Sequence, residues 1–179
     1  TGPKVVAVTM GGPLVGSPMT RSGARSGDDV WVSGPLGGAA EAWLRPNASA
    51  AALAALRRPS PPLSFALDLA TSGLASAAMD LSDGLYTDLQ RLCTASGVGA
   101  VIQSTRVPGS IDDEARLSGG DDYALLFTAD RSSRSRIRDI ARSHELFPSR
   151  IGELTSALPV TLLDRTWPEP PWRHFRGAS

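Results

Sequence analysis

An α/β layered domain, with a mixed sheet flanked by helices, is the fold class this sequence predicts, and three observations predict it. Apolar, β-branched or aromatic runs recur along the chain, at Val30-Trp31-Val32-Ser33 and most clearly at Tyr123-Ala124-Leu125-Leu126-Phe127-Thr128. Between such runs lie segments whose apolar residues return at helical spacing, as Leu85, Leu89, Leu92 and Cys93 do. Gly- and Pro-rich punctuation separates the two kinds of segment, and strands interleaved with helices pack as layers. No internal repeat and no clear linker divides the 179 residues, so the chain reads as one domain.

The elements follow in order. Val5 to Thr9 reads as a strand, and Gly11 to Gly27 as a loop rich in Gly, Ser and Pro. Val30 to Ser33 is the next strand; Gly34-Pro35 then turns the chain into a helix from about Gly38. Asn47 to Arg57 is alanine-rich and helical, with Asn47 placed to cap it. Pro61-Pro62 ends that segment before a helix from Leu63 to Ser72. Small apolar residues from Leu74 to Met79 form a strand running into Asp80, and a helix spans Gly84 to Ala95. Strands at Val98–Ile102 and Tyr123–Thr128, a helix at Ser132–Ser143, and short strands near Ile151 and Val160 precede an aromatic tail.

Composition narrows the function classes. Eighteen basic and eighteen acidic residues cancel, so no global field recruits nucleic acid or an anionic membrane. Arg131 to Arg138 is the most basic stretch, but it lacks interleaved aromatics for base stacking and reads as a solvated helix face. The single cysteine, Cys93, rules out an internal disulfide and fits a buried packing position. No apolar run approaches the roughly 20 residues that span a bilayer, and no signal peptide opens the chain, so a cytoplasmic location is expected. The opening Thr1-Gly2-Pro3-Lys4 has no initiator methionine, which processing or a missing preceding segment would both explain.

The most informative stretch is Met79-Asp80-Leu81-Ser82-Asp83-Gly84-Leu85, at a strand-to-helix turn. Asp80 and Asp83 can point into one space, with the Ser82 hydroxyl between them, and hard cations such as Mg²⁺ favour such oxygen donors. The same residues also suit a simple helix cap, and both readings stay open. Leu117-Ser118-Gly119-Gly120-Asp121-Asp122-Tyr123 is a second acidic turn feeding a strand. In Arg21-Ser22-Gly23-Ala24-Arg25, glycine permits close backbone approach and an arginine can fork onto phosphate. No G-x-G-x-x-G or Walker A sequence occurs, and His144 and His174 stand apart from any zinc-type spacing. The tail from Trp167 to Phe175 offers Trp172 for stacking on a planar or cationic ring.

With these four motifs in order, the chain resembles the C-terminal half of thiamine-monophosphate kinases, within the aminoimidazole-ribonucleotide-synthetase-like superfamily. The resemblance implies the layered C-terminal domain of that superfamily over residues 1–179, with residues 1–10 at the edge of an absent N-terminal ATP-binding domain. It implies ATP-dependent phosphorylation of thiamine monophosphate to thiamine diphosphate by direct γ-phosphoryl transfer with Mg²⁺. By the same resemblance Asp80 and Asp83 bind Mg²⁺, Arg21 and Ser82 contact ATP, and Asp121 and Trp172 meet the thiamine phosphate. A homodimer is implied only with the N-terminal half present, and neither nucleic acid nor membrane is a partner. The family usually has glutamate where Asp121 and Ala124 stand, and the segment between Ile102 and Leu117 is shorter than usual, which predicts a lost helix near the substrate. The other reading is a non-catalytic or degenerate nucleotide- and metal-binding module of the same superfamily.

Overall fold

A computed structural model of the chain describes residues 5–14 and 16–169. Strand β1 (Asp29–Val32) explains why a sheet lies at the centre. Its alternating side chains are apolar on both faces: Val30 and Val32 enter one buried cluster, Trp31 the other. A strand of that kind needs cover above and below. The sheet is completed by β2 (Ala75–Leu81), β3 (Gly99–Ile102), β4 (Ala124–Ala129), β5 (Ser149–Thr155) and β6 (Val160–Leu162). The six strands lie in the order β2-β4-β1-β5-β3-β6, antiparallel throughout except for the parallel pair β3 and β6.

Helices α1 (Gly38–Leu44), α2 (Ala50–Arg57), α3 (Leu63–Ser72), α4 (Leu85–Ser96), α5 (Asp113–Ser118) and α6 (Arg134–Ser143) accompany the sheet. On one face, Leu85, Leu89, Leu92 and Cys93 of α4 pack against Val30, Val32, Leu81 and Leu126. On the other, Phe65 and Leu69 of α3 and Ile137 and Ala141 of α6 cover Trp31 and Phe127. Trp31 and Phe127 stack with ring centroids 6.1 Å apart, and Phe65 meets Phe127 edge-on at 5.9 Å. Each such ring, fully buried, contributes about 1.5–3 kcal/mol of transfer free energy. Burial also pushes the Cys93 thiol up to about 11, consistent with an inert packing residue. Among the described residues no helix is long and apolar enough to cross a membrane.

Several sequence expectations shift. Val5 to Thr9 forms no strand: residues 5–14 have no regular structure, and Val5, Val6, Val8 and Met10 are 79% to 91% exposed. Strand propensity alone holds no strand; the backbone needs a ladder partner, and no described strand supplies one. The cap of α2 is Ser49 rather than Asn47, its Oγ accepting the Ala52 N–H at 3.1 Å, because capping requires reach to the second or third helical amide. The short segment between Ile102 and Leu117 retains helical structure. It holds a 3-10 turn at Ser104–Arg106 and α5, which Asp112 caps by accepting from Glu114 and Ala115.

Candidate active site

Both acidic turns sit at one end of the sheet, and the pairing of β2 with β4 puts them there. Leu81, the last residue of β2, is in register with Ala124, the first of β4. Beyond that pair the two turns bond to one another through backbone alone: Tyr123 N–H donates to the Leu81 carbonyl at 2.7 Å, and Asp121 N–H to the Ser82 carbonyl at 2.9 Å. Gly84 closes the junction. It has φ +100, and a Cβ there would lie 2.7 Å from the carbonyl oxygens of Ser118 and Gly119, so glycine is required.

The cap reading of Ser82 and Asp83 fails. The N-cap of α4 is Gly84, and neither side chain caps the helix. The support runs in the opposite direction, from Asp88 in the first turn of α4. Its fully buried carboxylate accepts the N–H groups of Ser82 and Asp83 at 3.1 and 2.9 Å, and that of Arg91 at 2.9 Å. Burial, more than the neighbouring Asp83 charge, holds the Asp88 carboxyl above the usual carboxylate range, against the opposing pull of the Asp83 amide and Arg91. Arg91 also forms an ion pair with Asp83.

Asp80, at the exposed end of β2, and the half-buried Asp83 are joined by Asp121 on the second turn. All three carboxylates lie within electrostatic reach of the Tyr123 hydroxyl. The Asp121 charge, then burial and the hydrogen bond to Asp121, then the charges of Asp80 and Asp83, raise the phenol above its ordinary value. The Tyr123 hydroxyl donates to Asp121 Oδ1 at 3.3 Å. Asp121 and Tyr123 are both left-handed, at φ +64 and +50, which for non-glycine residues marks a strained turn. That conformation is why β4 begins at Ala124 and not, as the sequence suggests, at Tyr123.

The structure therefore gathers Asp80, Ser82, Asp83 and Asp121. It does not bring Arg21 to them. The Arg21 carbonyl accepts from Ser96 Oγ at 3.0 Å, so this loop is anchored at the far end of α4, roughly 18 Å along the helix axis from Asp83. Trp172 lies outside the described residues. The tail leading to it does approach the acidic end: Trp167 packs on Tyr86 with centroids 5.0 Å apart, and the Pro168 carbonyl accepts from Ser118 Oγ at 2.9 Å. Among the described residues no group of three or more His, Cys, Asp or Glu side chains is arranged to hold a metal ion. A separate groove of about 490 Å³, lined by Glu41, Arg45, Pro46, Asn47, Ile111 and Asp112, does not include the gathered carboxylates.

Sequence reading missed Asp88, Asp122 and the Tyr123 hydroxyl. Asp88 had a signal, an acid in the first turn of a helix whose cap is glycine. Asp122 had none that separates it from Asp121. Its carboxylate turns inward and accepts the Gly37 N–H at 2.8 Å. Burial pushes that carboxyl up to about 7, helped by the Asp121 charge and opposed by the amides of Gly37 and Gly38.

Comparison with known proteins bears on this geometry. Residues 25–162 match the family described as AIR synthase related protein, C-terminal domain. The chain is 33% identical over 145 residues to the thiamine-monophosphate kinase of Methanopyrus kandleri, covering 68% of this chain and 45% of that protein. It is 34% identical over 172 residues to that of Escherichia coli O157:H7, covering 79% and 49%. It thus spans about half the length of the curated relatives it matches. The thiamine-monophosphate kinase structure from Stenotrophomonas maltophilia K279a superposes with a TM-score of 0.74 at 32% identity, over 83% of this chain and 54% of that one. AaThiL, solved in complex with AMPPCP and TMP, gives 0.69 at 29% identity, over 88% and 54%. PurL of T. maritima, complexed with ATP, shares the fold at a TM-score of 0.62 and 20% identity, over 82% and 25%.

Proposed function

Because the chain belongs to the family of AIR synthase-related C-terminal domains, we propose that it supplies the C-terminal half of an ATP-dependent thiamine-monophosphate kinase. The observation that carries this reading is the meeting of Asp80, Asp83 and Asp121, from two turns locked together by backbone bonds, around Tyr123. The sequence relatives named thiamine-monophosphate kinase and the AMPPCP and TMP held by AaThiL support it.

In the proposed reaction a phosphate oxygen of thiamine monophosphate attacks the γ-phosphorus of ATP. The new P–O bond forms as the bond to the β-phosphate oxygen breaks, giving thiamine diphosphate and ADP. Such a transfer asks for positioning and charge neutralisation, with little covalent work for the protein. Asp80 and Asp83 would hold Mg²⁺. Their oxygen-only donor set suits a hard dication in kind and is incomplete in number, leaving room for water and phosphate oxygens. The metal, when bound, neutralises phosphate charge. Ser82 faces the nucleotide beside them. Asp121 meets the thiamine phosphate, with Trp172 packing on it from the tail. Arg21, whose loop is anchored at the far end of α4, is given no part in holding phosphates at these carboxylates, and the apolar stretch at residues 1–10 borders the ATP-binding half. The enzyme works in the cytoplasm, and any homodimer comes with that other half.

A second reading, a non-catalytic nucleotide- or metal-binding module, draws on the lack of a three-ligand metal group among the described residues. One experiment separates the two. The chain alone, given ATP, Mg²⁺ and thiamine monophosphate, is expected to form no thiamine diphosphate; joined to the N-terminal half of the Escherichia coli relative, it is expected to form it. A stable, folded chimera that binds ATP without forming product would sink the kinase reading and favour the module. Product from the chain alone would show that two carboxylates suffice.

A further inference from the structure

We propose that Asp122 is the positioning residue of this site, holding the strained turn that presents Asp121 by fixing the amide of Gly37. The inference deepens the kinase reading and takes from it only the role of Asp121. Asp122 stands between two left-handed residues, Asp121 and Tyr123, neither of them glycine. Such a turn persists only where its surroundings over-determine it. Two backbone bonds, to the carbonyls of Ser82 and Leu81, fix the flanking residues and leave the middle one to its side chain.

That side chain, one residue from an exposed acid, turns inward and accepts the Gly37 N–H at 2.8 Å. Gly37 is a fixed anchor. It has φ +83, and a Cβ there would meet the Arg116 amide nitrogen at 2.6 Å and the Ala115 carbonyl carbon at 2.7 Å, so its backbone lies directly against α5. The turn after β1 thereby braces the acidic turn from the side. With Asp122 seated, the Asp121 carboxylate is left facing outward, beside the Tyr123 hydroxyl. The carboxyl keeps this place although burial disfavours its charge.

Tyr123 reports the geometry. The chain has two tyrosines, so in a Tyr86→Phe background the ultraviolet titration of tyrosinate reads Tyr123 alone. Asp122→Ala and Asp122→Ser, both too short to reach Gly37, are expected to return the phenol toward its ordinary value near ~10. In the same variants, amide hydrogen exchange at Gly37, Asp121 and Tyr123 should quicken at least roughly tenfold while Leu126 and Phe127 stay protected. Asp122→Asn removes the charge and keeps an acceptor oxygen, so it should behave as the parent does; this variant also decides the matter if the shorter ones fail to fold. Unchanged Tyr123 titration and Gly37 protection in Asp122→Ser, or an Asn variant that loses both, would overturn the assignment. In the chimeric kinase, Asp122→Ser should raise the acceptor KM roughly tenfold more than it lowers kcat. A shift in Tyr123 with no change in KM upholds Asp122 as the brace and removes instead the substrate role of Asp121.

Discussion

The two acidic turns carry similar residues and are held by opposite means. The turn at Leu81–Gly84 is supported from within its own stretch of chain, by Asp88 a few residues on. The turn at Ser118–Tyr123 is supported from far away in sequence, through Asp122 to Gly37, a separation of 85 residues. Local support makes the first turn a property of a helix start. Distant support makes the second a property of the finished fold. The first turn should therefore survive partial unfolding of the β1–α1 region, and the second should not.

The largest effect is expected from breaking the local support. Asp88→Ala orphans two turn amides and removes the buried partner of Arg91, a loss of about 3 kcal/mol. Denaturant titration checks it, and a loss below about 1 kcal/mol would mean that the turn holds itself. Asp88→Asn, which keeps one acceptor, should cost less.

Next comes the distant support. Gly37→Ala puts a Cβ into the backbone of α5 at a positive φ, and should cost about 2 kcal/mol. Protection should be lost at Asp121 and Tyr123 before it is lost at Ser82 and Asp83. Simultaneous loss at both turns would erase the proposed difference between them.

The pH dependence sharpens the same contrast. Burial raises the carboxyls of Asp88 and Asp122 in the folded chain, Asp122 to about 7, whereas an unfolded aspartate titrates near ~3.9. Between these values the folded state binds more protons than the unfolded one, so stability falls as pH rises from roughly 4 to 7 and then levels. The fall is at most about 1.4 kcal/mol per pH unit for each group. Asp122→Asn should remove part of the slope, as read from melting temperature against pH. A slope of opposite sign would mean that the Asp122 carboxyl is not raised in the folded state. The carboxyls of Asp112, Asp130 and Asp164 are lowered by their hydrogen-bonding partners and act below this window.

How much of this was legible in the sequence follows the same line between local and distant. The layered class, β1, α3, α4 and the Asp80-Leu81-Ser82-Asp83 turn were readable, because spacing and composition within a dozen residues encode them. The strand predicted at Val5–Thr9 was not, since pairing depends on a neighbour that no local pattern supplies. Asp121 could be picked from its motif, but the inward turn of Asp122 could not. Nothing in Gly120-Asp121-Asp122-Tyr123 says which acid faces Gly37. The separation of Arg21 from the carboxylates was equally invisible, since it is set by the length of α4 and the bond to Ser96.

The smallest stability effect should accompany the largest effect on catalysis. Asp80 is exposed at the end of β2, and Asp80→Asn keeps its size while removing its charge, so stability should change by no more than about 0.5 kcal/mol. If Asp80 holds Mg²⁺ in the chimeric kinase, the same change should lower turnover roughly a hundredfold, and excess Mg²⁺ should restore part of it. Asp83→Asn is the harder test, because it also breaks the ion pair with Arg91 and so should lower both turnover and melting temperature. A turn that only starts a helix would show the reverse, with Asp80→Asn silent in both measurements. Turnover and stability measured together on these two variants therefore distinguish a metal-holding turn from a structural one.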